Sequence, residues 1–275
     1  MNDERRDELE KIALDVRKDV VRMAGVSKSY GLSSALSLVE LLVYLYWERM
    51  KIFPGERNNP RRDRLVLSSG FAAPALYACL SKLGFFDREE LWSYRRLGGM
   101  LQGHPDVRTP GVDAPGGTSG LGIALGLALA LRMAGYDEKV YCIVAAEDLQ
   151  NGALWESIDA AAVHAPGNLV MIAESRTLSE GGPAETKTPL IKRLGSFGWS
   201  ASTADGHNFA SIERAFQPLE AAGREPAAII AMTGGRREYY DAFESRTQDK
   251  PPSMDDIEET LFRLDKEANK RGGQR

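Results

Sequence analysis

Apolar runs separated by helix-sized intervals constrain the fold of this chain more than any other feature. They cover residues 65–70, 140–146, 168–173 and 227–232. Runs of this length are typical of buried strands, and the intervals leave room for a helix in each connection. A succession of strand, helix and strand favours a parallel sheet, because each connection crosses one face of the sheet. The chain is therefore predicted to be an α/β protein with an open, mostly parallel sheet and helices on both faces.

The run at residues 140–146 ends at a small-residue turn that leads into an amphipathic segment. That segment is predicted to be a helix that begins near Leu149. Ligands of open α/β sheets bind at the carboxyl ends of the strands, where such turns lie. We therefore expect a ligand site at this corner of the sheet.

Helices are predicted on both sides of the first strand. Residues 4–23 repeat apolar side chains at the three- and four-residue spacing of an amphipathic helix. A loop rich in Gly and Ser is expected at residues 25–34, and Ser37 is expected to cap the next helix. Two more helices are predicted at residues 74–83 and 89–97.

The second half of the chain carries a glycine-dense stretch at residues 98–122, which is typical of a binding loop. Residues 121–133 are apolar nearly all round, so they are predicted to form a buried helix. The chain has 275 residues, of which 43% are apolar, enough for one large core. We expect one domain at residues 1–250 and a C-terminal helical tail at residues 251–275.

Composition excludes several classes of protein. A formal net charge of −4 offers no basic surface for nucleic acid. The first residues are charged, and glycine or charge interrupts each apolar stretch well short of a membrane span, so neither secretion nor membrane insertion is expected. Cys79 and Cys142 lie in apolar segments outside any metal-ligand pattern, and they are predicted to be reduced core residues of a cytoplasmic protein.

Four ordered motifs resemble those of one enzyme family. They are Arg-Leu-Val-Leu-Ser-Ser-Gly-Phe-Ala-Ala-Pro-Ala-Leu-Tyr at residues 64–77, Leu-Gln-Gly-His-Pro-Asp at 101–106, Leu-Gln followed by Gly152 and Trp-Glu at 149–156, and Asp-Gly-His at 205–207. The chain resembles the N-terminal, thiamine-diphosphate-binding half of transketolase, which is a separate subunit in split transketolases. The resemblance implies the thiamine-diphosphate-binding fold.

The departures from the family lie where its cofactor would bind. The family's Gly-Asp-Gly aligns with Ala145, Ala146 and Glu147, and its closing Asn aligns with Arg176. Mg²⁺ takes oxygen ligands, which the Ala146 side chain lacks. A dication about 4 Å from Arg176 would be repelled by on the order of 8 kcal/mol at an effective dielectric of about 20. Binding of thiamine diphosphate through a metal is therefore predicted to fail.

Other family residues are replaced as well. Two family histidines align with Gly31 and Phe71, and the family's Lys-Gly-Lys-Gly aligns with residues 234–237. His104 keeps its motif, and the resemblance implies that it is catalytic and faces the substrate and the thiazolium end of the cofactor. A second reading, in which His104 is an inherited loop anchor, stays open. The residues that the resemblance implies for cofactor binding are Gly103, Gly120, Leu149, Arg176 and His207.

Arg176 itself has two readings. A guanidinium group can hold a phosphate through two parallel hydrogen bonds, so Arg176 can replace Mg²⁺ as the counter-charge of the diphosphate. Alternatively, Arg176 pairs with Glu147, Asp148 or Glu174 and fills an empty site. Three acids beside one arginine favour the second reading. For His207, holding a turn is favoured over acid–base catalysis.

The resemblance implies a function that depends on a second chain. The leading hypothesis is an N-terminal-half subunit of a two-chain transketolase-like complex that transfers two-carbon ketol units between sugar-phosphate-like substrates. The partner would be a C-terminal-half subunit, in a heterotetramer or a larger heteromer. A second hypothesis is a non-catalytic half that supports or regulates a partner. A third is a remodelled pocket that takes another anionic ligand without thiamine diphosphate.

Overall fold

The structure is a computed structural model that describes most of the chain. The described residues are 1–29, 33–56, 59–68, 70–175, 189–221, 223–234 and 251–273. Gly31, Arg176 and residues 235–237, which the sequence singles out, lie outside these ranges, and the side chain of Phe71 is not described either.

A parallel sheet forms the centre of the molecule. Its strands are β1 (Arg64–Leu67), β2 (Val140–Val144), β3 (Leu169–Ser175), β4 (Ser200–Asp205) and β5 (Ala227–Met232). Within the described residues the strand order is β1-β2-β3-β5-β4, and every neighbouring pair is parallel. The parallel sheet predicted from the sequence is confirmed, because a helix in each crossover keeps successive strands pointing the same way.

Helices cover the sheet and extend beyond it. The α-helices are α1 (Asp3–Ser27), α2 (Ser33–Ser37), α3 (Val39–Tyr44), α4 (Ala73–Lys82), α5 (Gly120–Met133), α6 (Gly152–His164), α7 (Leu190–Ser196), α8 (Phe209–Phe216) and α9 (Met254–Gly273). A π-helical turn, Leu45–Arg49, continues α3. Short 3₁₀ helices lie at Gly70–Ala72, Arg88–Ser93, Ala146–Gln150 and Gln217–Ala221.

Side chains of the strands divide between two hydrophobic cores. On β2, Tyr141 and Ile143 point to the core formed with α1, α3, α4 and α8, whereas Val140, Cys142 and Val144 point to the core formed with α5 and α6. Successive side chains of a strand leave the sheet on opposite faces, so a strand covered on both faces is apolar throughout. Helices therefore lie on both faces, as predicted, and Cys79 and Cys142 are both free and buried.

Several predicted boundaries are wrong. Helix α1 continues to Ser27 and α2 begins at Ser33, so both ends of the loop expected at residues 25–34 are helical. The helix expected to begin near Leu149 begins at Gly152, because the Asn151 side chain accepts a hydrogen bond from the Ala153 backbone N–H and caps it. The helix expected at residues 89–97 is a 3₁₀ helix that ends at Ser93.

Two further predictions about helices are corrected. Ser37 does not cap α3, whose N-cap is Leu38; the Ser37 hydroxyl group donates to the Ser34 carbonyl oxygen and to Glu174. Helix α5 is buried on one face only, since Gly126 and Met133 are exposed.

Strand β4 is not predicted from the sequence. It lies at the edge of the sheet, and most of its residues are partly exposed. An edge strand needs no continuous apolar run, so the sequence signal is weak there.

The C-terminal helix packs back onto the first one. Ile257 of α9 is buried and lies over Gly25 of α1, where a β-carbon would be 3.1 Å from the Ile257 side chain. The predicted C-terminal helical tail therefore contains a helix that packs on α1 through Ile257. No helix in the described ranges is long and apolar enough to cross a membrane.

Candidate active site at the carboxyl edge of the sheet

Polar side chains gather where the parallel strands end. Ser68 follows β1, Asp148 lies in the turn after β2, Glu174 is near the end of β3, and Thr233 follows β5. All four are buried. Because the carboxyl ends of parallel strands share one edge of the sheet, this edge is the place where a ligand is expected.

One hydroxyl group links the end of β1 to the turn after β2, and we call this junction the Ser68 corner. Ser68 Oγ donates to the Asp148 carboxylate and accepts a hydrogen bond from the Ala145 backbone N–H at 3.1 Å. The Ser68 backbone N–H donates to the Ile143 carbonyl oxygen at 2.9 Å. The end of β1 is therefore tied to the turn that aligns with the family's cofactor motif.

The centre of the edge is built around Glu174, which is fully buried. Its carboxylate accepts hydrogen bonds from Ser37 Oγ at 2.6 Å and from Thr233 Oγ1 at 3.1 Å. A buried carboxylate is costly unless hydrogen bonds replace its water. Ser37 and Thr233 supply that replacement, and they join α2, β3 and β5.

A second buried acid holds the end of β4. The Glu40 carboxylate forms an ion pair with Arg17 and lies 3.2 Å from His207 Nδ1. His207 Nε2 lies 2.9 Å from the Thr233 carbonyl oxygen, and the His207 backbone N–H donates to Asp205 Oδ1 at 2.9 Å. Both ring nitrogens of His207 thus contact protein oxygen atoms, an arrangement that holds the turn after β4.

His104 lies on a loop whose backbone is hydrogen-bonded to a buried tyrosine. The buried Tyr77 side chain donates from its hydroxyl group to the carbonyl oxygens of Gln102 and His104, at 3.0 and 3.2 Å. Burial raises the pKa of Tyr77, so this hydroxyl group stays a donor. The His104 ring rests on Gly70, where a β-carbon would come within 2.1 Å of Nδ1.

Glycines let two segments approach the end of β1. A β-carbon at Gly120 would lie 2.9 Å from Ser68 Cα, and one at Gly116 would lie 2.0 Å from the Leu67 carbonyl oxygen. Larger residues would push the start of α5 away from the strand. These glycines therefore place the glycine-dense loop directly over the Ser68 corner.

The predicted site residues fall in different places. Gly103, His104 and Gly120 lie around the end of β1, and the His104 side chain is exposed. Leu149 packs against the core of α5 and α6, while its carbonyl oxygen accepts a hydrogen bond from Trp155 Nε1 at 3.0 Å. His207 is at the other end of the edge, and Arg176 is outside the described residues.

Most of the buried polar network is not apparent in the amino-acid sequence. Thr233 is detectable, because it is the first polar residue after the strand predicted at residues 227–232, and Ser68 is detectable as the first polar residue in the run at residues 65–70; both therefore lie toward the ligand edge. Glu40 is detectable as a single acid within an apolar helix. Their partners are not, because sequence separation does not report contact.

Magnesium does not fit the described side chains. Ala146 offers no side-chain oxygen, Asp148 is engaged with Ser68, and Glu174 is engaged with Ser37 and Thr233. Across the described ranges, no group of three or more His, Cys, Asp or Glu side chains is arranged to hold a metal ion. Octahedral coordination needs free oxygen ligands, whereas the buried Asp148 and Glu174 carboxylates already accept hydrogen bonds from protein hydroxyl groups.

Comparison with known proteins agrees with the architecture. Residues 16–235 match the family model described as transketolase, thiamine diphosphate binding domain. Human transketolase is 32% identical over 207 residues, which are 73% of this chain and 33% of that protein. The chain thus matches only about a third of the length of that relative.

Other relatives are closer to this chain in length. One subunit of the apulose-4-phosphate transketolase of Actinobacillus succinogenes is 30% identical over 265 residues, covering 94% of this chain and 96% of that protein. The 6-deoxy-6-sulfo-D-fructose transketolase subunit of a Clostridium species is 35% identical over 205 residues, covering 72% and 74%.

A solved structure supports the same relationship. Transketolase from Campylobacter jejuni superposes with a TM-score of 0.75 at 25% identity, covering 98% of this chain and 48% of that one. The family model matches most of the sequence, and the fold agrees over nearly the whole chain. This chain belongs to the transketolase family and corresponds to its N-terminal, thiamine-diphosphate-binding domain.

Proposed function

We propose that this chain is the N-terminal-half subunit of a two-chain transketolase-like complex that transfers two-carbon ketol units. The observation that carries the proposal is the match to a relative that is itself named as one subunit of a transketolase and that aligns over nearly its whole length. A C-terminal-half subunit would complete the site in a heterotetramer or a larger heteromer. We further propose that residues 1–250 form the diphosphate domain and residues 251–275 its tail.

The substrate is proposed to carry an anionic group. One relative is named for a sugar phosphate and another for a sulfo-sugar. His104, exposed at the rim of the edge, would bind polar groups of such a substrate. Thiamine diphosphate, when bound, supplies the carbanion chemistry of ketol transfer.

The cofactor site is proposed to be altered. Gly103, Gly120 and Leu149 are proposed to contribute to it. Of the two readings of Arg176, the counter-charge that replaces a metal ion belongs to this proposal, and the pairing of Arg176 with an acid belongs to the non-catalytic alternative. His207 would act by positioning the turn after β4, because both its ring nitrogens already contact protein atoms. Mg²⁺ has no role in this proposal.

A non-catalytic half is the second candidate, and the Ser68 corner favours it. The Ser68 hydroxyl group and the Asp148 carboxylate satisfy each other where the family motif would hold its ligand. A closed corner of this kind suits a scaffold subunit that stabilises or regulates a partner. A pocket that accepts another anionic ligand, without thiamine diphosphate, is the remaining alternative.

Calorimetric titration with thiamine diphosphate separates these functions. The titration is run with and without Mg²⁺ and with and without a C-terminal-half partner. The leading proposal expects binding that does not require Mg²⁺ and that is lost in Arg176→Ala but kept in the control Arg193→Ala. Absence of binding under every condition favours the scaffold, and binding that strictly requires Mg²⁺ contradicts the altered site.

A gain-of-function variant sharpens the test. Replacing Ala146→Asp together with Arg176→Asn restores the oxygen ligands of the family motif. We expect this double variant to bind thiamine diphosphate only in the presence of Mg²⁺. If the double variant behaves like the parent chain, the aligned positions do not form the metal site.

A further inference from the structure

Arg95 has an unusual backbone conformation. Among the described residues, the non-glycine residues with positive φ are Lys28, Arg95 and Ala165. Lys28 and Ala165 are the C-caps of α1 and α6, where a left-handed residue is common. Arg95 follows a 3₁₀ helix, has a φ of 58°, and donates its backbone N–H to the Leu101 carbonyl oxygen at 2.8 Å.

The turn at Arg95 does not need an arginine. Glycine adopts the left-handed conformation at lower cost because it has no β-carbon to approach the following carbonyl oxygen, and asparagine does so because its short polar side chain hydrogen-bonds locally. Backbone strain of this kind is concentrated at functional sites. The Arg95 side chain therefore requires an explanation apart from the turn.

The Arg95 side chain bridges two loops at the candidate active site. It lies against Gly103, the residue before His104. A β-carbon at Gly103 would lie 3.4 Å from Arg95 Nε. Arg95 Nη1 lies 3.4 Å from Ser29 Oγ, on the segment that follows α1. The guanidinium group is thus placed between Ser29 and the loop that carries His104.

Arg95 has no acidic partner in the part of the chain that the structure describes. Nearby arginines are paired there, Arg88 with Asp19 and Arg108 with Asp106. Lys28, next to Ser29, is exposed and likewise has no ion pair with a described residue. Two cations therefore flank the buried Ser29 without a described carboxylate to neutralise them.

We propose that Arg95, Ser29 and Lys28 form a subsite for the terminal oxyanion group of the substrate, a phosphate monoester or a sulfonate. This proposal rests on the proposed function, which supplies the class of substrate that the subsite would bind. A guanidinium group donates two parallel hydrogen bonds to such oxygens, and a serine hydroxyl group adds a third. Lys28 contributes charge. The anion would be held at the rim of the edge while His104 contacts a polar group farther along the sugar.

Anion binding to the chain alone tests this subsite. The Nε–Hε resonance of Arg95 is assigned by its loss in Arg95→Gln and is followed by NMR during titration with methyl phosphate or with methanesulfonate. We expect saturable binding by the parent chain and about tenfold weaker binding by Arg95→Gln, the usual effect of losing a charge-assisted hydrogen bond. Lys28→Gln should weaken binding by roughly two- to threefold.

Arg96→Gln is the matched control, because Arg96 is the exposed neighbour of Arg95 in the same turn. Its affinity for both anions should equal that of the parent chain. The subsite is refuted if Arg96→Gln loses as much affinity as Arg95→Gln, if Arg95→Gln binds as well as the parent, or if the parent shows no saturable binding of either anion.

A backbone control distinguishes an anion ligand from a loop clamp. Arg95→Gly removes the guanidinium group and also relieves the left-handed strain, so its melting temperature should stay equal or rise while anion binding is lost. A clear fall in melting temperature would show that Arg95 holds the loops together, and the subsite would be rejected.

The two anion sources differ in their pH dependence. A phosphate monoester loses its second negative charge below a pKa of about 6, whereas a sulfonate keeps one charge throughout. Affinity that rises through pH 6 for methyl phosphate and exceeds that for methanesulfonate supports a phosphate ester; equal, pH-independent affinities support a sulfonate. Neither measurement requires cofactor, partner or turnover, so failure of ketol transfer is recognised separately from failure of the subsite.

Discussion

Ser68 shows how one side chain organises the candidate site at the scale of single residues. It donates to Asp148 and accepts from the Ala145 N–H, so β1 and the turn after β2 depend on the same hydroxyl group. A buried polar atom that loses its partner keeps the full cost of its desolvation. Removing this hydroxyl group therefore affects two other buried groups.

We predict that Ser68→Ala destabilises the fold by about 2 kcal/mol, because Asp148 and the Ala145 N–H both lose a partner. Urea denaturation measures the change in unfolding free energy. Ser196→Ala is the control, since the exposed Ser196 hydroxyl group donates to the Arg193 carbonyl oxygen of its own helix. A cost for Ser68→Ala no larger than that of the control would show that the corner is not held by this hydrogen bond.

At the scale of elements, helix α5 shows two uses of glycine. Gly120 begins the helix against Ser68, and a β-carbon there would meet the Ser68 backbone at 2.9 Å. Gly126, farther along the same helix, has no atom within 4 Å of such a β-carbon. Of these two glycines, packing requires only the first.

We predict opposite effects of one substitution at these two positions. Gly120→Ala should destabilise by about 1–3 kcal/mol through overpacking. Gly126→Ala should stabilise by up to about 1 kcal/mol, because alanine loses less backbone entropy in a helix. Thermal and urea unfolding of the two variants measure the difference. The close approach of α5 to β1 would be wrong if Gly120→Ala were as stable as Gly126→Ala.

Helix α9 supplies the second prediction about an element. Ile257 is 5% exposed against α1, whereas Phe262 on the same helix is 67% exposed. We predict that Ile257→Ala costs about 2–4 kcal/mol of unfolding free energy, since the cavity would lie between two helices. Phe262→Ala should change stability by less than about 0.5 kcal/mol. Equal effects of the two variants, measured by urea unfolding, would mean that α9 does not dock on α1.

At the scale of the whole molecule, the sheet separates two apolar cores that also contain ionisable groups. Tyr94 and Tyr141 lie in the core formed with α1, α3, α4 and α8. Removal from water raises the pKa of each tyrosine to about 12. In the unfolded chain the same groups titrate near pH 10. Between about pH 10 and 12 the folded state therefore retains protons that the unfolded state has lost.

We predict that stability falls as pH rises through this window. The unfolded state binds fewer protons there, so the free energy of unfolding decreases with pH, by up to about 1.4 kcal/mol per pH unit for each tyrosine. Stability below pH 10 is unaffected by these groups. Urea midpoints measured from pH 9 to 12 test the slope, and Tyr141→Phe should make it shallower. An unchanged slope in that variant would contradict the burial of the Tyr141 hydroxyl group.

Local sequence patterns are enough to predict the parallel sheet, most strand positions and the two long terminal helices. Strands β2, β3 and β5 are covered on both faces, and such strands must be apolar at nearly every position. Helices α1 and α9 bury one side, so their periodicity is visible in the sequence. The motifs around Gly103 and His104 also point to the family, which the comparisons confirm.

The contacts between polar side chains, in contrast, depend on the tertiary structure. His207 and Glu40 are 167 positions apart, and Ser37 and Glu174 are 137 apart, so no local pattern predicts either contact. Strand β4 escapes prediction because an edge strand is only partly buried, and Ser37 is misassigned because a capping serine and a serine bonded to a distant acid look alike in sequence. Local periodicity shows which side chains are buried. Contacts between side chains that are far apart in the sequence are determined only by the folding of the whole chain.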